Sequence, residues 1–167
     1  MSASREAEAT PPGARVNVRR AERGDLGVLV RFARAMARET EDKALAPATV
    51  RAGIRAALNE PARGTYFVAE SGAEDDEEAA GALMVTREWS DWRNAFFWWI
   101  QSVYVPPAWR RQGVYRRLYE HVRCRAQSED DVCGLRLYVE RENAAARAAY
   151  EALGMRETHY RMYEGGL

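Results

Sequence analysis

The chain has 167 residues, of which 47% are hydrophobic and 30% are charged. This length suits one domain with one continuous core, and this composition excludes a disordered or fibrous protein. The formal net charge is zero, which argues against a general polyanion binder, because nucleic-acid-binding domains usually carry a basic excess. We therefore expect an ordinary globular protein that does not bind nucleic acid.

The N-terminal segment, the apolar runs and the cysteines and histidines indicate further which classes of protein the chain can belong to. Residues 1–15 are rich in Ala, Glu, Ser and Pro without periodicity, which predicts a flexible tail, followed by a single domain over 16–167. No apolar run is long enough to span a bilayer, and the N-terminus lacks the apolar core of a secretory signal. The two cysteines and two histidines are not clustered as metal ligands are. We expect a cytoplasmic protein without a membrane contact or a metal.

The first half of the chain predicts a strand, two helices and a hairpin. Alternation from Val16 predicts the strand, and apolar residues at helical spacing after Asp25 predict a helix that ends before an acidic connection over 39–42. Pro47 suits the first turn of the second helix. Aromatic and β-branched residues then predict two paired strands, TYFVAE and AAGALMVTREW, joined by an acidic loop over 72–78.

The second half predicts one long strand, two helices and a shorter strand. AFFWWIQSVYV reads as the central strand of the sheet, which a Pro-Pro pair stops. Apolar residues that recur every four positions from Val114 predict a helix, and the strand GLRLYVE follows over 134–140. Asn143 can cap the last helix, and Gly154 suits the left-handed position after its end. The remaining residues can supply one or two closing strands.

The segment VYVPPAWRRQGVYRRL joins a strand to a helix through a loop that contains Arg110, Arg111, Gln112 and Gly113. The first turn of a helix has unpaired N–H groups and the positive end of the helix dipole, which together suit a pyrophosphate. Gly113 lets the backbone approach an anion closely, and the arginines add positive charge. For the loop alone, an ordinary helix start after a basic turn is the alternative, because short glycine patterns are nonspecific.

This loop resembles the pattern Arg/Gln-x-x-Gly-x-Gly/Ala of the GNAT superfamily of N-acetyltransferases, with Arg110 in its first position and Gly113 in its fourth. Two positions depart from the simplest pattern. Tyr115 replaces the small sixth residue, and Arg111 stands where glycine is common. The loop is therefore expected to be bulkier on its outer side, while its backbone N–H groups stay available.

A second stretch resembles the family pattern Asn-x-x-Ala-x-x-x-Tyr-x-x-x-Gly-Met, in which Asn143 and Tyr150 lie about two helical turns apart. Together the two patterns extend the resemblance over most of 16–163. It implies an α/β (α+β) fold with a mixed central sheet of six to seven strands, about four flanking helices and splayed central strands.

For the site, the resemblance implies that acetyl-CoA binds and that its acetyl group passes to an amine. The strand before the loop would pair its backbone with the pantetheine arm, and Tyr150 would protonate the departing thiolate. For Tyr150 alone, a core aromatic residue is the alternative. The residues implied in cofactor binding are Val103, Tyr104, Val105, Arg110, Arg111, Gln112, Gly113, Val114, Tyr115, Arg116 and Asn143.

The residues that bind the acceptor amine and take its proton are indicated less clearly. The candidates are carboxylates near the central hairpin or in the loop that shapes the acceptor pocket in the family, with one amide that could position water: Glu39, Glu41, Glu88, Asp91 and Gln101. Each carboxylate could equally be a solvated or structural group. The aromatic residues from Trp89 to Trp99 could line the acceptor site, form a homodimer face or pack in the core.

The leading hypothesis is direct transfer of an acetyl group from acetyl-CoA to a primary amine of a small molecule within a ternary complex. A protein N-terminal or lysine acetyltransferase would use the same architecture. A noncatalytic acyl-CoA-binding regulatory module and a cofactor-free dimerisation domain are the alternatives from other classes.

Overall fold

The computed structural model describes residues 16–71 and 78–166. The predicted flexible tail, residues 1–15, and nearly all of the predicted acidic loop lie outside them. The chain divides into two compact units between Leu137 and Tyr138. The single domain expected over 16–167 stays a prediction.

The first unit is built on a five-stranded sheet in the order β1-β2-β3-β4-β5. The first four strands pair antiparallel in turn, and β5 lies parallel to β4. The mixed sheet and the β2–β3 hairpin are thereby confirmed, but the described residues form five strands rather than six to seven. The strands are β1 Val16–Arg20, β2 Thr65–Ser71, β3 Ala79–Ser90, β4 Ala95–Tyr104 and β5 Val132–Leu137.

Three helices cover this sheet: α1 Leu26–Glu41, α2 Pro47–Asn59 and α3 Val114–Gln127. α1 and α2 bury Leu29 and Ile54 against Val68 of β2. α3 lies on the other face, where the His121 ring is centred 5.3 Å from the ring of Phe67. Neighbouring strand residues point to opposite faces of a sheet. The sheet therefore separates α1 and α2 from α3.

The acidic segment predicted as a connection is helical over most of its length. α1 continues through Glu41 and ends at Asp42, whose φ of 49° is left-handed. Glu41 forms an ion pair with Lys43, and Glu39 accepts hydrogen bonds from Tyr104 and Arg110. The prediction of a loop was therefore wrong for residues 39–41. The partners of Glu39 and Glu41 offset the unfavourable charge that carboxylates have near a helix C-terminus.

Near the C-terminus, the bounds predicted for one strand and the existence of the closing strands were wrong. β5 spans Val132–Leu137 instead of 134–140, and residues 155–166 of the second unit form no strand. Tyr160, Met162 and Tyr163 in that segment are exposed. A strand is stable when one face is buried and its N–H and C=O groups are paired with a neighbour, and this exposed segment has no ladder partner within the described residues. The aromatic residues of this segment are not enough by themselves to form a strand.

Asp25 ties the start of α1 to the first two strands. Arg19 of β1 donates hydrogen bonds to both carboxylate oxygens of Asp25 at 2.8 and 2.9 Å, and to Glu70 of β2 at 2.9 Å. The Glu22 amide donates a further bond to Asp25 at 2.6 Å. Burial alone would raise the pKa of Asp25, but the hydrogen bonds from Arg19 and Glu22 outweigh it and hold this pKa below its ordinary value. The carboxylate is thus stabilised in its charged form.

Asp25→Asn is expected to lower the free energy of unfolding by about 1–3 kcal/mol at neutral pH, because charge-assisted hydrogen bonds are lost from a largely buried group. The folded-state pKa is depressed, so this contribution is complete above the unfolded pKa of about 3.9 and is lost as the pH falls through the folded-state pKa. Urea unfolding at neutral and at acid pH measures it. The exposed Asp130→Asn control should change stability by less than about 0.5 kcal/mol. If the loss of unfolding free energy in Asp25→Asn does not become smaller in acid, the stability does not come from the charged Asp25 carboxylate.

Candidate active site

The end of β4 is paired on one side only. The ladder between β4 and β5 stops at the pair Ile100 and Leu137, whereas β4 continues beside β3 to Tyr104. Residues 101–104 therefore have no second strand partner within the described part of the chain. A β-bulge at Gln101 separates the pairs on either side of it, which re-aims the strand at this point. The expected splaying of the central strands is consistent with this open edge, to which an extended ligand could add by backbone hydrogen bonds.

A tight turn connects this open edge to α3. After the 3₁₀ turn Pro107–Trp109, Arg110 is extended, and both Arg111 and Gly113 adopt positive φ angles of 64° and 78°. Only glycine adopts such angles without steric cost. The left-handed conformation of Arg111 explains why glycine would suit this position, and it places mild backbone strain within the loop.

The first turn of α3 has a charge pattern that suits an anion. Gly113 is the N-cap residue, no side chain caps the helix, and its first turn contains no acidic residue. Arg116 and Arg117 lie in this turn and are exposed. Cations oppose the helix dipole at an N-terminus, so the local charge is unfavourable until an anion is bound. A Cβ atom added to Gly113 would meet nothing within 4 Å, so a phosphate has open access to the backbone.

Gly81 of β3 sets the distance between the sheet and this turn. A Cβ atom added there would lie 3.1 Å from the Tyr104 carbonyl oxygen and 3.1 Å from Val114 Cγ1. The missing side chain thus brings the end of β4 and the start of α3 together. A glycine inside a strand often marks such a close approach.

Gly81→Ala is expected to lower the free energy of unfolding by about 1–3 kcal/mol, because an added methyl group overpacks a site bounded by backbone. Chemical unfolding measures this loss. Gly53→Ala is the matched control, since Gly53 is exposed in α2 and a Cβ atom there meets nothing within 4 Å. That change should stabilise the protein by about 0.5–1 kcal/mol. Equal effects of the two substitutions contradict the close-approach argument.

Glu39 is the predicted acceptor-site residue that lies next to the loop. Its carboxylate accepts a hydrogen bond from the Tyr104 hydroxyl at 2.6 Å and forms an ion pair with Arg110. The hydrogen bond from Tyr104, and to a lesser extent that from Arg110, lowers the pKa of Glu39. Burial and the hydrogen bond to Glu39 raise the pKa of Tyr104. Arg110 also donates through Nε to the Val105 carbonyl at 3.0 Å.

Glu88 and Gln101 lie further back along the same sheet. Glu88 accepts hydrogen bonds from Arg136 at 2.6 Å and from the Trp99 indole. Gln101 donates to the Thr86 hydroxyl at 3.0 Å. The carboxylate of Glu88 is therefore already held by an ion pair, and its role toward an acceptor stays a prediction, as does that of Gln101.

Asp91 and Glu41 make their contacts with residues outside the loop. Asp91 accepts from the Trp92 amide at 2.9 Å in the turn between β3 and β4. This turn is at the far end of β4, about 26 Å of strand from Val103 at 3.3 Å per residue. Glu41 is exposed and forms an ion pair with Lys43. The structure therefore brings neither carboxylate to the open edge of β4.

The second unit contains α4, Ala144–Ala152, which bears the other predicted site residues. Asn143 caps it by accepting a hydrogen bond from the Ala146 amide at 3.0 Å, and Gly154 has a φ of 85° after its end. Both local predictions are confirmed. Tyr150 is half-buried in the last turns of α4, and burial raises the pKa of its phenol above the ordinary value. The hydroxyl is thus protonated at neutral pH, as a proton donor must be.

Neither a metal site nor a membrane segment is found in the described residues. In residues 16–71 and 78–166, no three His, Cys, Asp or Glu side chains gather in a way that could hold a metal ion. Over the same residues, no helix is both long and apolar enough to cross a membrane.

Comparison with known families agrees with the geometry of the loop and the sheet. The family model described as the acetyltransferase (GNAT) family matches residues 30–155, a span that includes the open edge of β4, the basic turn and α4. The chain belongs to the GNAT acetyltransferase family.

Solved structures place this GNAT chain among similar folds. A possible acetyltransferase from Clostridium difficile 630 is 38% identical, with a TM-score of 0.83, and the match covers 91% of this chain and 97% of that one. The aminoglycoside N-acetyltransferase AAC(6')-Iy, solved in complex with CoA, is 16% identical with a TM-score of 0.72, covering 95% of this chain and 99% of that one. A transcriptional regulator from Bacillus halodurans C-125 is 22% identical with a TM-score of 0.74, covering 90% and 99% respectively. No curated protein matches the chain.

Some residues that shape this GNAT site were not anticipated from sequence. Gly81 was readable as a glycine inside a strand, but the atoms it approaches are distant in sequence. Arg136 lies 3.5 Å from the centre of the Phe97 ring while it pairs with Glu88. Nothing in the local sequence of β5 indicates that arrangement, which arises from the parallel pairing of β4 and β5.

Proposed function

We propose that this protein is an acetyl-CoA-dependent N-acetyltransferase that acts on a primary amine of a small molecule, by direct attack within a ternary complex. The observation that carries the proposal is the uncapped, arginine-rich start of α3 beside the open edge of β4. A polyphosphate needs the first feature, and an extended amide-bearing arm needs the second.

The loop supplies backbone N–H groups and positive charge, and the strand supplies an open backbone edge, for such a donor. The backbone N–H groups around Gly113 and Val114, with the charges of Arg111 and Arg116, would bind the pyrophosphate. The backbone of Val103 to Val105 would pair with the pantetheine arm. The remaining residues proposed on the donor side are Tyr104, Arg110, Gln112, Tyr115 and Asn143.

Catalysis requires few further groups from the chain. Acetyl-CoA supplies an activated thioester when bound. A backbone N–H near Val103 would polarise the thioester carbonyl, and the Tyr150 hydroxyl would give its proton to the leaving thiolate. Gln101 is proposed to position a water that takes the proton from the amine. No covalent enzyme intermediate is needed, because the amine is itself the nucleophile.

The choice of a small-molecule acceptor is supported by relatives of the same fold. One solved neighbour, 15% identical with a TM-score of 0.70, is an aminoglycoside acetyltransferase in complex with sisomicin. Glu39 and Glu88 already form ion pairs with Arg110 and Arg136, so neither offers an unpaired negative charge to a cationic amine.

Titration calorimetry with CoA tests the donor site first. Saturable binding is expected, and its absence contradicts the proposal. A panel of small amines and lysine peptides, assayed by release of free thiol from acetyl-CoA, then tests catalysis. Turnover with small amines is expected; binding without turnover on any amine would favour a noncatalytic acyl-CoA-binding module.

A further inference from the structure

The cluster formed by Glu39, Tyr104 and Arg110 links three elements that are separate in sequence. Glu39 is in the last turns of α1, Tyr104 ends β4, and Arg110 begins the basic turn. The two partners of Glu39 reach it across sequence separations of 65 and 71 residues. The contact is therefore a product of the tertiary fold and not of a local turn.

The side chain of Arg110 is held by several groups at once. Its Nε donates to the Val105 carbonyl at 3.0 Å, its Nη2 donates to Glu39, and its Cζ lies 5.9 Å from the centre of the Tyr104 ring. The Tyr104 ring in turn lies 5.3 Å from Phe32 of α1. Arg110 is thus directed toward the sheet face that α1 covers.

The proposed pyrophosphate site lies on the opposite side of this arrangement. α3 packs on the face where Gly81 meets Val114, whereas Tyr104 and Phe32 are on the α1 face. In this arrangement the guanidinium of Arg110 is occupied by Glu39, and Arg111, Arg116 and Arg117 carry the exposed charge near the start of α3. Arg110 therefore suits a role in holding the turn rather than in binding phosphate directly.

We propose that Glu39 is a positioning residue for the acyl donor: through Tyr104 and Arg110 it holds the end of β4 and the basic turn in the geometry that the donor requires. The inference rests on the proposed function and adds a residue of α1 to the donor side of the site. Without the carboxylate, Arg110 loses its charged partner and the turn samples more conformations, so donor binding must order it again.

Glu39→Gln tests this in the full-length protein. The dissociation constant for CoA, measured by calorimetry, is expected to rise about fivefold to tenfold, and KM for acetyl-CoA should rise in parallel while kcat stays within about twofold. Because the ion pair is exposed, the unfolding midpoint should shift by no more than about 3 °C. Arg110→Gln should weaken CoA binding at least as much, because it also removes the hydrogen bond to the Val105 carbonyl. The double variant should bind CoA no more weakly than Arg110→Gln alone, since Glu39 acts through Arg110.

Glu60→Gln is the matched control, because it removes another exposed Glu–Arg ion pair, with Arg63, from the end of α2. It should leave CoA affinity unchanged. If the wild-type protein binds CoA but Glu39→Gln binds it equally well or more tightly, or if the effects of Glu39→Gln and Arg110→Gln add, the inference is wrong and the proposed function stands. If the wild-type protein does not bind CoA, both fail together.

Discussion

Replacing Gly113 with alanine is expected to raise the dissociation constant for CoA at least about tenfold, a loss of about 1.4 kcal/mol or more of binding free energy. Gly113 has a φ of 78° and forms the N-cap of α3. An alanine either strains this left-handed conformation or rotates the N–H groups of the turn out of alignment. If it keeps the conformation, its methyl group occupies the open space through which the phosphates approach. Calorimetry with CoA measures the effect.

Gly154→Ala is the matched control for this substitution. Gly154 also has a positive φ, of 85°, and a Cβ atom there likewise meets nothing within 4 Å. Both variants should lose a similar free energy of unfolding, of about 1 kcal/mol. Only Gly113→Ala should lose CoA affinity. Equal CoA affinities in the two variants would show that the turn before α3 is not the phosphate site.

Tyr150→Phe is expected to lower kcat about 100-fold while the dissociation constant for CoA stays within about twofold, because a positioned general acid contributes to the chemical step and not to donor binding. Burial raises the pKa of Tyr150, so the wild-type hydroxyl is protonated through the neutral range. Wild-type kcat should therefore fall only as the pH rises above the pKa of an ordinary tyrosine, about 10. Steady-state kinetics of thiol release, with both substrates varied, measure the separation of kcat from KM.

Tyr160→Phe serves as the control, because Tyr160 is in the same unit and 74% exposed. Its kcat should stay within about twofold of wild type. If Tyr150→Phe keeps wild-type turnover at every pH, Tyr150 is a packing residue, as its half-buried position in α4 would also allow. If it loses CoA affinity instead, its contribution is to binding.

The two ends of α4, at Asn143 and Gly154, could be predicted from sequence because their determinants are local. A glycine at the required left-handed position and an asparagine whose carboxamide reaches an amide three residues on are choices made within one turn of the chain. The long strand before the basic turn was equally clear, since a run of aromatic and β-branched residues ends at two prolines. These elements carry the family pattern, which is why membership in the GNAT family was readable.

The partners of the carboxylates could not be read in this way. Glu39, Glu41 and Glu88 look alike in sequence, as acidic residues near predicted pocket segments. The fold gives the first to Tyr104 and Arg110, the second to Lys43 and the third to Arg136. Two of these three associations depend on which strand lies beside which helix, so they cannot be derived from spacing.

The amino-acid sequence by itself determined the order of helices and strands from β1 to α4, the caps of α4 and the proposal of an anion site in the segment from Val103 to Leu118, because propensity, capping and the helix dipole act over a few residues. Tertiary structure alone decided that β4 is open beyond Ile100, that Gly81 brings α3 against the sheet, and that Glu39 meets Arg110. It also decided against the closing strands, since a strand forms only where a neighbouring edge accepts its backbone hydrogen bonds. Such contacts join residues far apart in the chain, and only packing selects among them.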